Sequence, residues 1–147
     1  MRASVPFFIS DCYNFTMKKS TTFFAIAAAV LAFSLPSCES NAPVPDDLTS
    51  KQLIQGGQSA FEKGRYKVAL RYYNAALERF GDSDTAVFVE AKYEIGHIYQ
   101  QQKKYEFASN VFSELLELYS VTIPGQLPGE YRKLSELGLE QIKKAQK

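Results

Sequence analysis

The apolar residues of the chain follow helical spacing from Thr49 to the C-terminus. Thr49 and Gln52 have the spacing of a capping box, in which the two side chains satisfy each other's backbone groups at the start of a helix. Short polar or glycine-containing connections divide the rest of the pattern. It predicts an all-α domain over residues 49–147 with five helices, near residues 50–63, 66–80, 84–102, 104–119 and 128–146.

Two stretches of this helical region repeat one another at an offset of 39 residues. The matching pairs are Gly57 with Gly96, Tyr66 with Tyr105, Ala69 with Ala108, Tyr73 with Phe112, and Leu77 with Leu116. A glycine inside a helix costs about 1 kcal/mol relative to alanine. We therefore interpret Gly57 and Gly96 as positions where a neighbouring helix approaches closely.

The two units resemble the tetratricopeptide repeat, in which a small residue on the first helix is followed by Gly-x-Tyr at the turn and by Ala, an aromatic residue and Ala-Leu on the second. In the first unit these positions are Gly57, Gly64, Tyr66, Ala69, Tyr73, Ala76 and Leu77. The second unit departs from the pattern at Lys103, where the turn glycine is expected, and at Leu115. The resemblance implies a short antiparallel helix-hairpin solenoid of about two repeats, with the last helix as a cap.

The resemblance also implies a binding surface, because partners of this family bind the concave face made by the first helix of each unit. Phe61 and Tyr93 can supply aromatic anchors there, while His97 and the amides give a polar surround. The alternative is structural, with Phe61 closing the core against Tyr66 and Tyr93 packing on the preceding helix. Counting along the first and third helices assigns to this surface Ile54, Gln58, Phe61, Tyr93, His97, Gln100 and Gln101.

The N-terminal part of the chain has the organisation of a secretion signal over residues 17–37. Lys18 and Lys19 form a cationic head, and an apolar run follows over residues 23–35. The run is shorter than the roughly 20 residues that span a bilayer, which favours a cleaved signal over a transmembrane helix. Residues 1–16 precede the charged head, and we interpret them as a non-native extension, with Met17 rather than Met1 as the expected start of translation.

The sequence Leu35-Pro36-Ser37-Cys38 resembles a bacterial lipobox, from whose usual pattern Pro36 departs. The resemblance implies that the chain is cut before Cys38 and that this residue carries acyl chains such as palmitate. A lipoprotein of this kind is expected at the periplasmic side of the outer membrane. The alternative is a lone cysteine after an ordinary cleavage site. The prolines within residues 38–48 predict a flexible tether.

Composition and charge narrow the classes of function. Loss of residues 1–37 removes three basic residues and one acidic residue, which changes the formal charge from +1 to −1, so nucleic acid is not an expected partner. Neither cysteine lies in the helical region, and His97 is the only histidine. No phosphate-binding loop or Ser-His-Asp set is present. We expect no catalytic residues, no metal and no cofactor.

Two functions follow from different classes of protein. The first is a lipid-anchored adaptor that binds another envelope protein, similar to the tetratricopeptide proteins of periplasmic envelope assembly, with outer-membrane protein assembly as one candidate process. The second is a structural or surface lipoprotein that forms a homo-oligomer through its repeats.

Overall fold

The computed structural model describes residues 42–147, which contain five α-helices and no strand. Each boundary lies within two residues of its predicted position, and the all-α class is confirmed. The helices are α1 (Ser50–Glu62), α2 (Tyr66–Phe80), α3 (Thr85–Gln101), α4 (Tyr105–Val121) and α5 (Gly129–Ala145). The predictions for residues 1–37 and for Cys38 lie outside the described residues.

Side-chain caps begin two of these helices. At α1 the predicted capping box is present, with the Gln52 backbone N–H donating to Thr49 Oγ1 over 3.3 Å and the Thr49 backbone N–H donating to Gln52 Oε1 over 2.9 Å. At α3 the carboxylate of Asp84 accepts from the backbone N–H groups of Ala86 and Val87 at 3.0 and 3.1 Å. These bonds satisfy backbone donors that have no partner within the helix.

The first four helices form two antiparallel hairpins, each closed by a glycine against an aromatic ring. A Cβ atom added at Gly57 of α1 would stand 2.6 Å from Cζ of Tyr73 on α2. At the equivalent place in the second hairpin, a Cβ atom at Gly96 of α3 would stand 2.7 Å from Cε1 of Phe112 on α4. The same close contact in both hairpins confirms the internal repeat. The fold is a short helical solenoid.

Helix α5 packs on both α3 and α4, which is the position of the first helix of a further unit. Gly138 of α5 lies against Phe112, with an added Cβ atom only 2.5 Å from Cε2 of the ring. Phe112 is therefore enclosed between Gly96 and Gly138 and is fully buried. The predicted capping helix thus repeats the glycine contact a third time, at a spacing of 42 residues from Gly96 rather than 39.

The end of the predicted tether is packed on the domain. Val44 and Leu48 contact the apolar core. The Arg79 guanidinium donates to the backbone carbonyl of Pro45 over 2.6 Å and forms an ion pair with Asp46 at 2.9 Å. Val44 and Leu48 thus hold the acidic turn between them against the domain, and only residues 38–43 of the predicted tether lie before this packed segment.

The turns within the two hairpins have the same left-handed backbone, although only the first contains glycine. Gly64 has φ +69° and Lys103 has φ +58°. Because a side chain in this conformation is strained and glycine is not, we expect Lys103→Gly to raise the free energy of unfolding by about 0.5–1 kcal/mol. We expect Gly64→Ala to lower it by about 1 kcal/mol, since the space around Gly64 is open and only the backbone is affected. Urea unfolding of the full chain measures both changes.

Gly129→Ala is the matched control for this pair, because Gly129 also has open surroundings but no positive φ. Its unfolding free energy should not fall. A destabilised Lys103→Gly variant would contradict the assignment of backbone strain to this turn.

Candidate partner-binding groove

Two adjoining depressions run between α1 and α3, and we call them together the α1–α3 groove. Gln58 lines both of them, which makes the groove continuous. The first has a volume of about 340 Å³ and the second about 420 Å³. The first is lined by Ser50, Lys51, Ile54, Gln55, Gln58, Val87 and Glu90. The second is lined by Gln58, Phe61, Glu62, Tyr73, Glu94 and His97.

The structure brings five of the seven predicted site residues to this groove or its edge. Ile54 belongs to the core, is only 6% exposed and lines the first depression. Gln58 is exposed, and its amide lies 3.5 Å from the Glu90 carboxylate. Gln101 lies beside His97, with 3.2 Å between the Nε2 atoms of the two side chains.

Phe61 has both of the roles that the sequence suggested. Its ring centroid lies 5.6 Å from that of Tyr66 and 4.9 Å from that of His97. The contact with Tyr66 closes the end of the first hairpin. The contact with His97 joins α1 to α3 and leaves part of the Phe61 ring facing the groove.

The remaining two predicted residues face α5 instead of α1. The Tyr93 ring lies 5.5 Å from the ring of Tyr131 and 5.8 Å from that of Phe112. The Gln100 side chain donates to Gln141 of α5 over 2.8 Å. The sequence grouped them with His97 because they share its side of α3. That side, however, is divided between α1 and α5, and only the packing of α5 shows where the division falls.

The groove also contains carboxylates that are not among the predicted site residues. Glu94 lies 3.5 Å from Nδ1 of His97, and its side chain is 19% exposed. Burial raises the pKa of the Glu90 carboxyl, and the charge of Glu94 raises it further, while a hydrogen bond from Tyr131 opposes the shift. Glu90, Glu94, His97 and Gln101 recur at helical spacing along α3, so the periodicity contained the signal.

Tyr73 reaches the groove from below, through the gap that Gly57 leaves in α1. The residue is fully buried, and its hydroxyl has no hydrogen-bond partner. An unsatisfied buried polar group of this kind costs about 1–3 kcal/mol. Burial raises the pKa of the Tyr73 hydroxyl, and the charges of Glu94 and Glu90 raise it further. The hydroxyl therefore stays neutral.

Two further findings concern metal binding and membrane-spanning helices. Within residues 42–147, no three His, Cys, Asp or Glu side chains are placed to hold a metal ion. No helix in the same range is both long and apolar enough to cross a membrane.

Comparison with known protein families finds a match in the second hairpin. Residues 89–121 match the tetratricopeptide repeat. The matched span contains most of α3 and all of α4. Tetratricopeptide repeats are protein-interaction scaffolds that typically have no catalytic activity, and nothing in the described residues points to catalysis. The first hairpin repeats the glycine–aromatic contact of this tetratricopeptide repeat at Gly57 and Tyr73.

A relative from Treponema pallidum (strain Nichols), an uncharacterized protein, is 28% identical over 120 residues. The match covers 82% of this chain and 48% of the relative, so the chain spans about half the length of that protein. No solved structure matches the chain.

Proposed function

We propose that this protein is a lipid-anchored adaptor that binds one partner protein of the bacterial envelope in the α1–α3 groove. The observation that supports this most directly is the open groove beside a tetratricopeptide repeat, with polar Gln58 exposed and Phe61 partly open. Such a mixture of an aromatic anchor and a polar surround is typical of protein-binding surfaces. Assembly of outer-membrane proteins is the process that we propose for it.

The proposed anchor is the lipid on Cys38, on the periplasmic side of the outer membrane. The lipobox-like sequence supports it, and the packed segment that begins at Val44 limits its reach. Val44 lies six positions after Cys38 in the sequence. Because an extended chain spans at most about 3.5 Å per residue, the domain would be held within about 20 Å of the membrane surface.

A second candidate function is self-association through the repeats. Leu134 and Leu137 of α5 are 38% and 42% exposed, although α5 is otherwise packed as the first helix of a further unit. A second copy could cover these leucines, since solenoids usually have protected ends. This arrangement would make the protein a structural homo-oligomer.

Photo-crosslinking in intact cells separates the two functions. A photoreactive phenylalanine derivative replaces Gln58 in the groove, Leu137 on α5 or Asn110 on the exposed side of α4 in three separate variants. We expect the Gln58 variant to form a discrete adduct with another envelope protein, because the exposed Gln58 side chain faces the space that the partner would fill.

The Asn110 variant is the control for non-specific capture, since this side chain is exposed on α4 and lines neither depression of the groove. Adducts of the same mass from Gln58 and Asn110 would argue against a groove-bound partner. An adduct only between two copies of this chain, and only from Leu137, would instead support self-association.

A further inference from the structure

The second depression of the α1–α3 groove has acidic walls, and we call it the acidic pocket. Its lining residues are Gln58, Phe61, Glu62, Tyr73, Glu94 and His97. Glu62 is the last residue of α1 and Glu94 lies on the facing side of α3, so carboxylates approach the pocket from two helices. The carbonyl end of α1 adds further negative potential beside Glu62.

The charge of the acidic pocket is not balanced by its own lining. Within residues 42–147, no lysine or arginine lines it. Lys63 follows Glu62 directly, but its ammonium group donates to Ser59 over 3.0 Å, beside a different depression. His97 is charged only when protonated. Glu90 adds a third carboxylate in the adjoining depression.

The floor of the pocket provides a second and independent observation. The Tyr73 ring is fully buried between α1 and α2, yet its hydroxyl has no hydrogen-bond partner and lies at the pocket. Buried hydroxyl groups in folded proteins nearly always have such a partner. An oxygen with free lone pairs at the base of an acidic cavity is an acceptor for a ligand that brings donors.

Given the proposed partner-binding role of the groove, we propose that the acidic pocket binds one lysine or arginine side chain of the partner protein. The N–H groups of that side chain donate to the carboxylates of Glu62 and Glu94 and to the hydroxyl oxygen of Tyr73. Its methylene groups pack on the Phe61 ring, whose face also attracts a cation. A metal ion fits less well, because no three ligands converge within the described residues.

A titration with a minimal probe tests the chemistry directly. The full chain in detergent is titrated with Nα-acetyl-lysine methylamide and followed by the NMR signals of the His97 and Phe61 rings. The matched probe is Nα-acetyl-norleucine methylamide, which keeps the aliphatic stem without the charge. We expect the lysine probe to shift these signals saturably and the norleucine probe to leave them unchanged. Added salt should weaken the lysine interaction.

Two conservative variants assign the interaction to the pocket. Tyr73→Phe removes only the unpartnered hydroxyl, and Glu94→Gln removes one charge; each should raise the Kd for the lysine probe by at least about tenfold. Glu117→Gln, at an exposed position on α4, is the control and should leave the Kd unchanged. The melting temperature of Tyr73→Phe should be at or above that of the unaltered protein, which shows that a loss of binding is not a loss of folding.

The outcomes distinguish this proposal from the adaptor function. Equal shifts with the two probes, no shift with lysine, or an unchanged Kd in both Tyr73→Phe and Glu94→Gln would overturn the cationic pocket. A partner crosslinked through Gln58 would in that case still support the adaptor. If the lysine probe binds but no partner is crosslinked through Gln58, the cationic-ligand pocket is supported and the proposed adaptor role is contradicted.

Discussion

Replacement of Gly96 by leucine is expected to lower the free energy of unfolding by about 1–3 kcal/mol, because it overpacks a helix crossing that has no spare volume. Even a Cβ atom at this position would stand 2.7 Å from Cε1 and 2.9 Å from Cδ1 of Phe112. The ring has no space on its other side, where Gly138 of α5 encloses it. Urea unfolding of the full chain, followed by helical circular dichroism, measures the loss.

Gly129→Leu is the matched control, because Gly129 is also helical but has nothing near its Cβ position. A second test combines Gly96→Leu with Phe112→Ala in a double-mutant cycle. If the two residues oppose each other sterically, the double variant should be more stable than the sum of the single losses predicts, by about 1 kcal/mol or more. Additive losses, or equal effects of leucine at Gly96 and Gly129, would contradict the packing contact.

Substitution of Cys38 by serine is expected to abolish acylation completely, since the thiol of Cys38 is the proposed acceptor of the lipid. Two or three acyl chains, each contributing about 0.8 kcal/mol per buried methylene, hold a protein far more firmly than one. Metabolic labelling with palmitate and the intact mass of the purified protein measure the modification. Fractionation after alkaline extraction measures membrane attachment, which we expect to decrease strongly.

Cys12→Ser is the control for this experiment, because Cys12 is the other cysteine of the chain and precedes the predicted signal. It should leave the label and the membrane fraction unchanged. Palmitate on the Cys38→Ser variant would overturn the proposed anchor. The absence of palmitate label from the unaltered protein and from both variants would also overturn the proposed anchor.

The helices, the capping box of α1 and the repeat were predictable because they depend on local sequence. Thr49 and Gln52 form the capping box that their spacing predicts. The offset that pairs Gly57 with Gly96 also aligns Gly64 with Lys103, and the structure gives both turn residues a positive φ. Apolar periodicity and backbone preferences act within a few residues, so they can be read directly from the chain.

The sequence also determined which helices form hairpins, but only the tertiary structure decided what each helix face contacts. The apolar periodicity of a helix fixes the angular position of each side chain around the helix axis. It does not show which neighbouring helix lies on that side. Tyr93 and His97 are one turn apart on α3, yet Tyr93 packs against α5 while His97 contacts Phe61 of α1. The packing of α5 on α3 decides this division.

Tertiary packing also decides whether a polar group is exposed and whether it has a hydrogen-bond partner. The sequence placed Tyr73 correctly as a packing residue of α2, because it is equivalent to Phe112. Only the close approach of α1 at Gly57 buries the Tyr73 ring while bringing its hydroxyl to the acidic pocket without a partner. Local sequence thus determines the elements of this protein, whereas the crossing of three helices determines the chemistry of its groove.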